Sequence, residues 1–301
     1  MSHISSRLYQ DKTDLQSIID FTFKVRPADH LNDYPAKVNL EENLASTEIQ
    51  ANTWLWFDES QLIGYAYVDD FRNLRWEIEN EYVEQIGTEI VEWGESCIRK
   101  KLEKEGAATL DASCKEDYTA KISFLKWHGF CQTDELTIGM IRRLDKPIPE
   151  PELPAGFVIR SVMGVQEAEA IASTHRAAFG TDYMTTENRL AIMNTSEYDP
   201  SLDLVAVAPD GTIAAYCTCS VNEPNKEGST DPVATNPRFQ RMRLARALLL
   251  TGMKMLKERG METACLGTSG ANLAMQKTAE SVGFHVDFRV LWFEKKVTQA
   301  P

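Results

Sequence analysis

Between residues 244 and 258 the apolar side chains Leu248, Leu249, Met253 and Leu256 recur on one helical face, and Gly260 stands where such a helix would be capped. The pattern predicts a long amphipathic helix. It predicts a second helix over residues 166–179 and a short third over 185–193, opened by Thr185-Thr186-Glu187. Strand patterns cover residues 157–162, 204–208, 213–219, 232–235, 263–266 and 285–293, with a further helix at 272–281. Pro209-Asp210-Gly211 joins two of these strands as an antiparallel hairpin, and Asn236-Pro237 breaks the strand before the long helix. Strands and helices alternating around one tight hairpin imply an α/β fold: a mixed, mostly antiparallel sheet flanked by helices.

The plan runs twice. Arg7 answers to Arg160, residues 62–65 to 212–215, Gly106 to Gly260, and Gly129-Phe130 to Gly283-Phe284, at offsets of 150 to 154 residues. Several matches in one order point to duplicated domains rather than a short-period solenoid. Residues 145–156 hold Pro147, Pro149, Pro151 and Pro154 and no packed pattern. The chain of 301 residues is therefore expected to divide into a domain at 1–145, a proline-rich linker at 146–156 and a second domain at 157–301.

The chain is 43% hydrophobic and 26% charged, which excludes a mostly disordered or fibrous protein. No apolar run nears the roughly 20 residues of a membrane helix, and the first residues, with His3, Arg7, Asp11 and Asp14, lack a secretory apolar core. The expectation is a cytoplasmic protein without a membrane partner. Six cysteines without a Cys-x-x-Cys pair read as reduced and mostly buried, with no metal site. The net charge of −13 disfavours nucleic acid as a partner. Most of it lies in residues 1–145, with 16 Lys+Arg against 27 Asp+Glu, while residues 146–301 hold 16 against 18. The pattern sets no oligomeric state.

Against this background residues 236–246 carry Arg238, Arg241, Arg243 and Arg246 and no acid, where a strand leads into the long helix. Such a loop presents unpaired N–H groups and the positive end of the helix dipole, and arginines add bidentate contacts. It reads either as an anion site or as a basic, solvated helix start. The order strand, Asn236-Pro237, Gln240-x-x-x-Leu244-Ala245, long helix, Gly260, strand, Asn272, helix, Glu280-Ser281-Val282-Gly283-Phe284, strand resembles the acyl-CoA-binding half of the GNAT N-acyltransferase superfamily over residues 157–296. The first half resembles a degenerate copy, so the resemblance implies two tandem GNAT-like domains.

It further implies one acetyl-CoA per chain, bound in the second domain between two splayed strands. Val233, Ala234 and Thr235 would run along the pantetheine arm, and the pyrophosphate would lie on Gln240, Arg241, Met242, Arg243, Leu244 and Ala245, with Arg238 and Arg246 beside it. Arg243 stands where the family usually has glycine. Asn272 matches an asparagine near the arm, or serves only as a helix N-cap. Asp231, two residues before Val233 on one strand face, is the candidate base, or a carboxylate capping a turn before Pro232. Glu223 competes for the catalytic role, as does Glu227, both placed on a preceding loop. Ala279 occupies the position of the family's acid tyrosine.

The implied activity is transfer of an acetyl or short acyl group from acyl-CoA to a primary amine, on a small molecule or peptide, by direct attack in a ternary complex. The alternative is a weak or inactive acyl-CoA-binding protein with a role in assembly or partner binding. In the first half, Glu77, Glu79, Glu81, Glu84, Glu89 and Glu92 face only Arg75 in the matching region, a field that repels pyrophosphate. His175 either lines an acceptor cleft or packs.

Overall fold

The alternating residues Tyr65, Ala66, Tyr67 and Val68 must point to opposite faces of any strand they form, so that strand needs cover on both sides. It obtains that cover in the computed structural model, which describes residues 4–31, 33–102, 106–195 and 198–298. His3 and the outermost residues of both expected domains lie outside the described residues. The chain forms two compact units, Met1–Glu135 with Val290–Pro301, and Leu136–Arg289.

In the first unit β1 (Ile4–Leu8), β2 (Thr53–Asp58), β3 (Gln61–Val68) and β4 (Leu74–Ile78) form an antiparallel sheet in chain order. Between β1 and β2 lie α1 (Lys12–Val25), α2 (Lys37–Asn43) and α3 (Thr47–Ala51); after β4 come α4 (Val83–Lys101), β5 (Ala107–Lys115) and α5 (Thr119–Trp127). Tyr65 and Tyr67 join Ile18, Phe21 and Leu40 in one core, and Ala66 and Val68 join Ile86 and Ile90 in another.

The second unit holds β7 (Val158–Ser161), α6 (Ala168–Phe179), α7 (Thr186–Met193), β8 (Asp203–Val207), β9 (Ile213–Asn222), β10 (Glu227–Thr235), α8 (Leu244–Glu258), β11 (Thr263–Ser269) and α9 (Leu273–Ser281). Its sheet order is β7-β8-β9-β10-β11-β6, where β6 spans Cys131–Arg143, and only β10 and β11 run parallel. Cys217 and Cys219 of β9 lie in the core beneath α8, and Tyr216 lies in the core of the opposite face with Ile171 of α6.

The division differs from the expected one. β6 begins in the first unit and ends in the second, whereas β12 (His285–Thr298) begins in the second and ends in the first. In the first unit, β12 pairs with β5 from Val290↔Lys115 to Thr298↔Ala107. The prolines do not separate the units. Residues 147–154 are a strap without helix or strand, whose Ile148 and Leu153 pack on the core under α8, with Glu150 paired to Lys254 at 2.5 Å.

The duplication extends to individual bonds. Arg7 makes two 2.7 Å bonds to Asp14, which also accepts from the Gln10 amide at 2.8 Å. Arg160 bonds Glu167 at 2.9 and 2.5 Å, and that carboxylate accepts from the Met163 amide at 2.8 Å. In both pairs the arginine holds the carboxyl below its ordinary pKa against a smaller opposing effect of burial.

Among the described residues of the first unit, the backbone link between β4 and β5 is the bridge Asn73↔Asp111, just before β4. Side chains fill the gap beyond it: Arg75 donates to Ser113 (2.8 Å), Lys121 to Glu77 (2.7 Å) and the Trp76 carbonyl (3.3 Å), and Arg26 to Glu77 (2.6 Å). Glu77 thus holds two cations, Arg26 buried and Lys121 half-buried. Glu77→Gln leaves both underneutralised, and urea unfolding is expected to show a loss of about 3–5 kcal/mol, whereas Glu81→Gln, on the surface, should change stability by less than about 0.5 kcal/mol.

Candidate active site

The parallel pairing of β10 and β11 covers only Glu227, Gly228 and Ser229 against Thr263, Ala264 and Cys265. Beyond Ser229 the strands separate into a fork. β10 carries an irregularity between Thr230 and Val233, after which β9 holds Val233, Ala234 and Thr235 opposite Cys217, Tyr216 and Ala215. Thus β10 begins at Glu227, earlier than the expected residue 232, and Glu227 lies on the strand rather than on a loop. Ala234 is buried, and Val233 and Thr235 are half-buried.

At the end of β10, Asn236 accepts from the Arg238 amide at 3.0 Å and turns the chain toward α8. Arg241 and Arg243 both have left-handed backbone, with φ of 64° and 61°. Arg243 is the N-cap of α8 and makes no side-chain capping bond, so the first N–H groups of the helix point outward uncapped. Left-handed residues next to a helix start turn successive N–H groups into a concave anion nest. Arg238, Arg241 and Arg243 are exposed beside it, Arg246 is half-buried on the first turn, and Phe239, Met242 and Leu244 anchor the loop in the core. Gln240 and Ala245 complete it. The conformation explains why glycine suits position 243: for arginine it costs about 1–2 kcal/mol.

Asp231 sits where the fork opens. Its carboxylate reaches across from β10 to accept from the Gly267 amide of β11, at 3.4 Å. The side chain is open to solvent along the cleft yet crowded by protein atoms around it, and this desolvation raises its pKa to about 6 against the opposing Gly267 bond. Glu223 lies on the turn before β10, on the other side of the strand pairing from the fork, and Glu227 is inside that pairing. Asn272 caps α9, accepting from the Met275 amide at 3.1 Å. Ala279 is fully buried on α9 and brings no hydroxyl.

Comparison with known proteins fits this geometry. Residues 168–284 match the model of the acetyltransferase (GNAT) family. The second unit thus carries a segment that matches the GNAT family. It is similar to a GCN5-related N-acetyltransferase from Sphaerobacter thermophilus (TM-score 0.73, 20% identity, covering 99% of this chain and 97% of that one). It is similar also to a tandem GNAT protein from the clavulanic acid biosynthesis pathway (TM-score 0.73, 14% identity, 100% and 99%). These likenesses give the tandem GNAT fold. Among curated proteins, a mycothiol acetyltransferase from Arthrobacter sp. (strain FB24) is 27% identical over 165 residues, 52% of this chain and 51% of that protein. Another, from Rhodococcus erythropolis, is 30% identical over 186 residues, 56% and 60%. The chain thus spans between half and two thirds of the length of these relatives.

The fork has a further wall. His175 is buried, with Nδ1 2.5 Å from the Tyr216 hydroxyl and Nε2 2.9 Å from that of Tyr183. Burial lowers the His175 pKa, as do Arg189 and Arg176, and the charge of Asp231 helps burial to raise that of Tyr183. Sequence reasoning considered His175 alone; Tyr183 and Tyr216 carried no local signal. No cluster of His, Cys, Asp or Glu suited to a metal occurs among the described residues.

The left-handed loop yields a clean test of backbone strain. Arg243→Gly is expected to gain up to about 1 kcal/mol in urea unfolding, because glycine removes the Cβ penalty but loses more chain entropy. Arg243→Ala, which keeps the Cβ, should gain nothing.

Proposed function

We propose that this protein transfers an acetyl group from acetyl-CoA to a primary amine, with one cofactor per chain in the second unit. The observation that carries this reading is a single strand, β10, with an uncapped, arginine-rich helix start beyond its end and a carboxylate of raised pKa at the fork. In this reading the N–H nest and Arg241 and Arg243 hold the pyrophosphate, with Arg238 and Arg246 adding charge, and the freed edge of Val233 to Thr235 aligns the pantetheine arm. Asn272 steadies the opposite arm of the fork by capping α9. Asp231 takes the amine's proton, the nitrogen bonds to the carbonyl carbon, the carbon–sulfur bond breaks, and the thiolate takes a proton from water. A thiolate is a tolerable leaving group without a tyrosine at position 279. The first unit, whose fork is filled by Arg75 and Lys121, takes no cofactor.

A mycothiol acetyltransferase role, which the curated relatives' names bring to mind, would be one case of this chemistry. The fully buried Ala279 favours a second reading, a slow or inactive acyl-CoA-binding protein.

Thiol release from acetyl-CoA over a panel of primary amines separates the two. Release with at least one amine is expected; binding without release for every amine supports the second. With the active amine, kcat/KM should fall as pH drops below about 6, because the base must be deprotonated and its pKa is raised to about 6. Asp231→Asn should cost roughly a hundredfold or more in kcat and abolish that limb. Calorimetry should give one coenzyme A per chain, and Arg241→Glu with Arg243→Glu should weaken it about tenfold or more. Two equivalent sites, or unchanged affinity, would overturn the placement.

A further inference from the structure

Charge in the second unit is sharply divided along the chain. Residues 157–235, which include β7 to β10, α6 and α7, hold four basic residues against eleven acidic ones, whereas residues 236–260 hold seven basic against one acidic. Each of the four cations in the acidic stretch is committed. Arg160 pairs with Glu167 at 2.5 Å, Arg176 with Glu169 at 2.7 Å, Lys226 with Glu262 at 2.7 Å, and buried Arg189 with Asp203. Asp231 has no cationic partner among the described residues; its carboxylate accepts from the Gly267 amide.

Near Asp231 stands an aromatic wall, with the buried Arg189 5.8 Å over the Tyr216 ring and already paired to Asp203. Burial and the charges of Arg189 and Arg176 lower the His175 pKa, and its two nitrogens are divided between the hydroxyls of Tyr183 and Tyr216. The Phe179 ring lies 4.5 Å from the His175 ring, and Tyr183 meets it edge-on at 5.4 Å. Phe179 is 49% exposed and Tyr183 46%, so aromatic surface is open beside β10, where Tyr216 of this cluster stands opposite Ala234, three residues from Asp231. Aromatic faces attract ammonium groups, and a lone carboxylate completes the attraction. A carboxylate on the ligand would instead meet the charge of Asp231, and the four cations of residues 157–235 are already paired.

We propose that this face receives a primary amine that carries no carboxylate beside its nitrogen, seated on the rings of Phe179 and Tyr183 with its ammonium group toward Asp231. The proposal rests on the acetyl-transfer reading and narrows its acceptor to cationic amines or amino-acid amides, excluding free amino acids. Phe179 and Tyr183 are specificity residues; His175 and Tyr216 are positioning residues that hold the Tyr183 ring.

The test is equilibrium binding, which needs no turnover. Full-length protein saturated with coenzyme A is titrated calorimetrically with 2-phenylethylamine, phenylalaninamide and phenylalanine. The amine and the amide should bind at least about tenfold more tightly than the amino acid. Phe179→Ala, at an exposed ring, should weaken both about fivefold or more with coenzyme A affinity unchanged. Tyr183→Phe, which keeps the ring, should hold within about twofold. Equal or tighter binding of phenylalanine, no binding of any probe, or an unaffected Phe179→Ala variant would overturn the proposal. Selective amine binding without thiol release would overturn acetyl transfer and leave the binding preference standing.

Discussion

The second unit depends on where two parallel strands stop pairing. β10 and β11 share three residue pairs and then part, which leaves backbone N–H and C=O groups on facing edges without sheet partners. Such groups are costly to bury unsatisfied, so an opening of this kind must be wet, filled or occupied. β10 can leave its neighbour because β9 holds it on the other edge through Thr235. The divergence puts Asp231 at the opening and directs the chain through Asn236 to the start of α8, so the acidic and cationic features are both set by one strand.

The first unit meets the same constraint with different chemistry. Its β4 and β5 also part after one bridge, but Arg75 reaches across to Ser113, Lys121 of α5 bonds β4, and Glu77 neutralises Lys121 and Arg26. Elsewhere the two skeletons keep equivalent bonds. Thr22 meets Tyr65 at 2.8 Å where the other unit sets His175 against Tyr216 at 2.5 Å. One copy thus closed its opening with its own side chains, and the other kept it free.

How much of this was legible followed the range of the interactions. α8 lies at the expected residues 244–258, because its apolar face is a local pattern. The start of β10 was hidden: Glu227 to Asp231 shows no apolar alternation, and its strand character comes from neighbours on both edges. The prolines are a strong local signal and mark a real irregular segment, yet the unit boundary falls elsewhere because strand pairing is non-local. At position 243 the missing glycine was legible, but the retained left-handed backbone was not. His175 stood out alone, since its partner Tyr216 is distant in sequence.

The crossing of β6 and β12 bears on how the protein is made. β5 pairs with Val290–Thr298, the last described segment to leave the ribosome, so during synthesis its edge has no partner while the entire second unit is emerging. An unpaired strand edge is a template for wrong pairing, and contacts between distant segments slow folding. Neither unit is therefore a portable module. The first unit thus waits for a strand that follows the whole of the second.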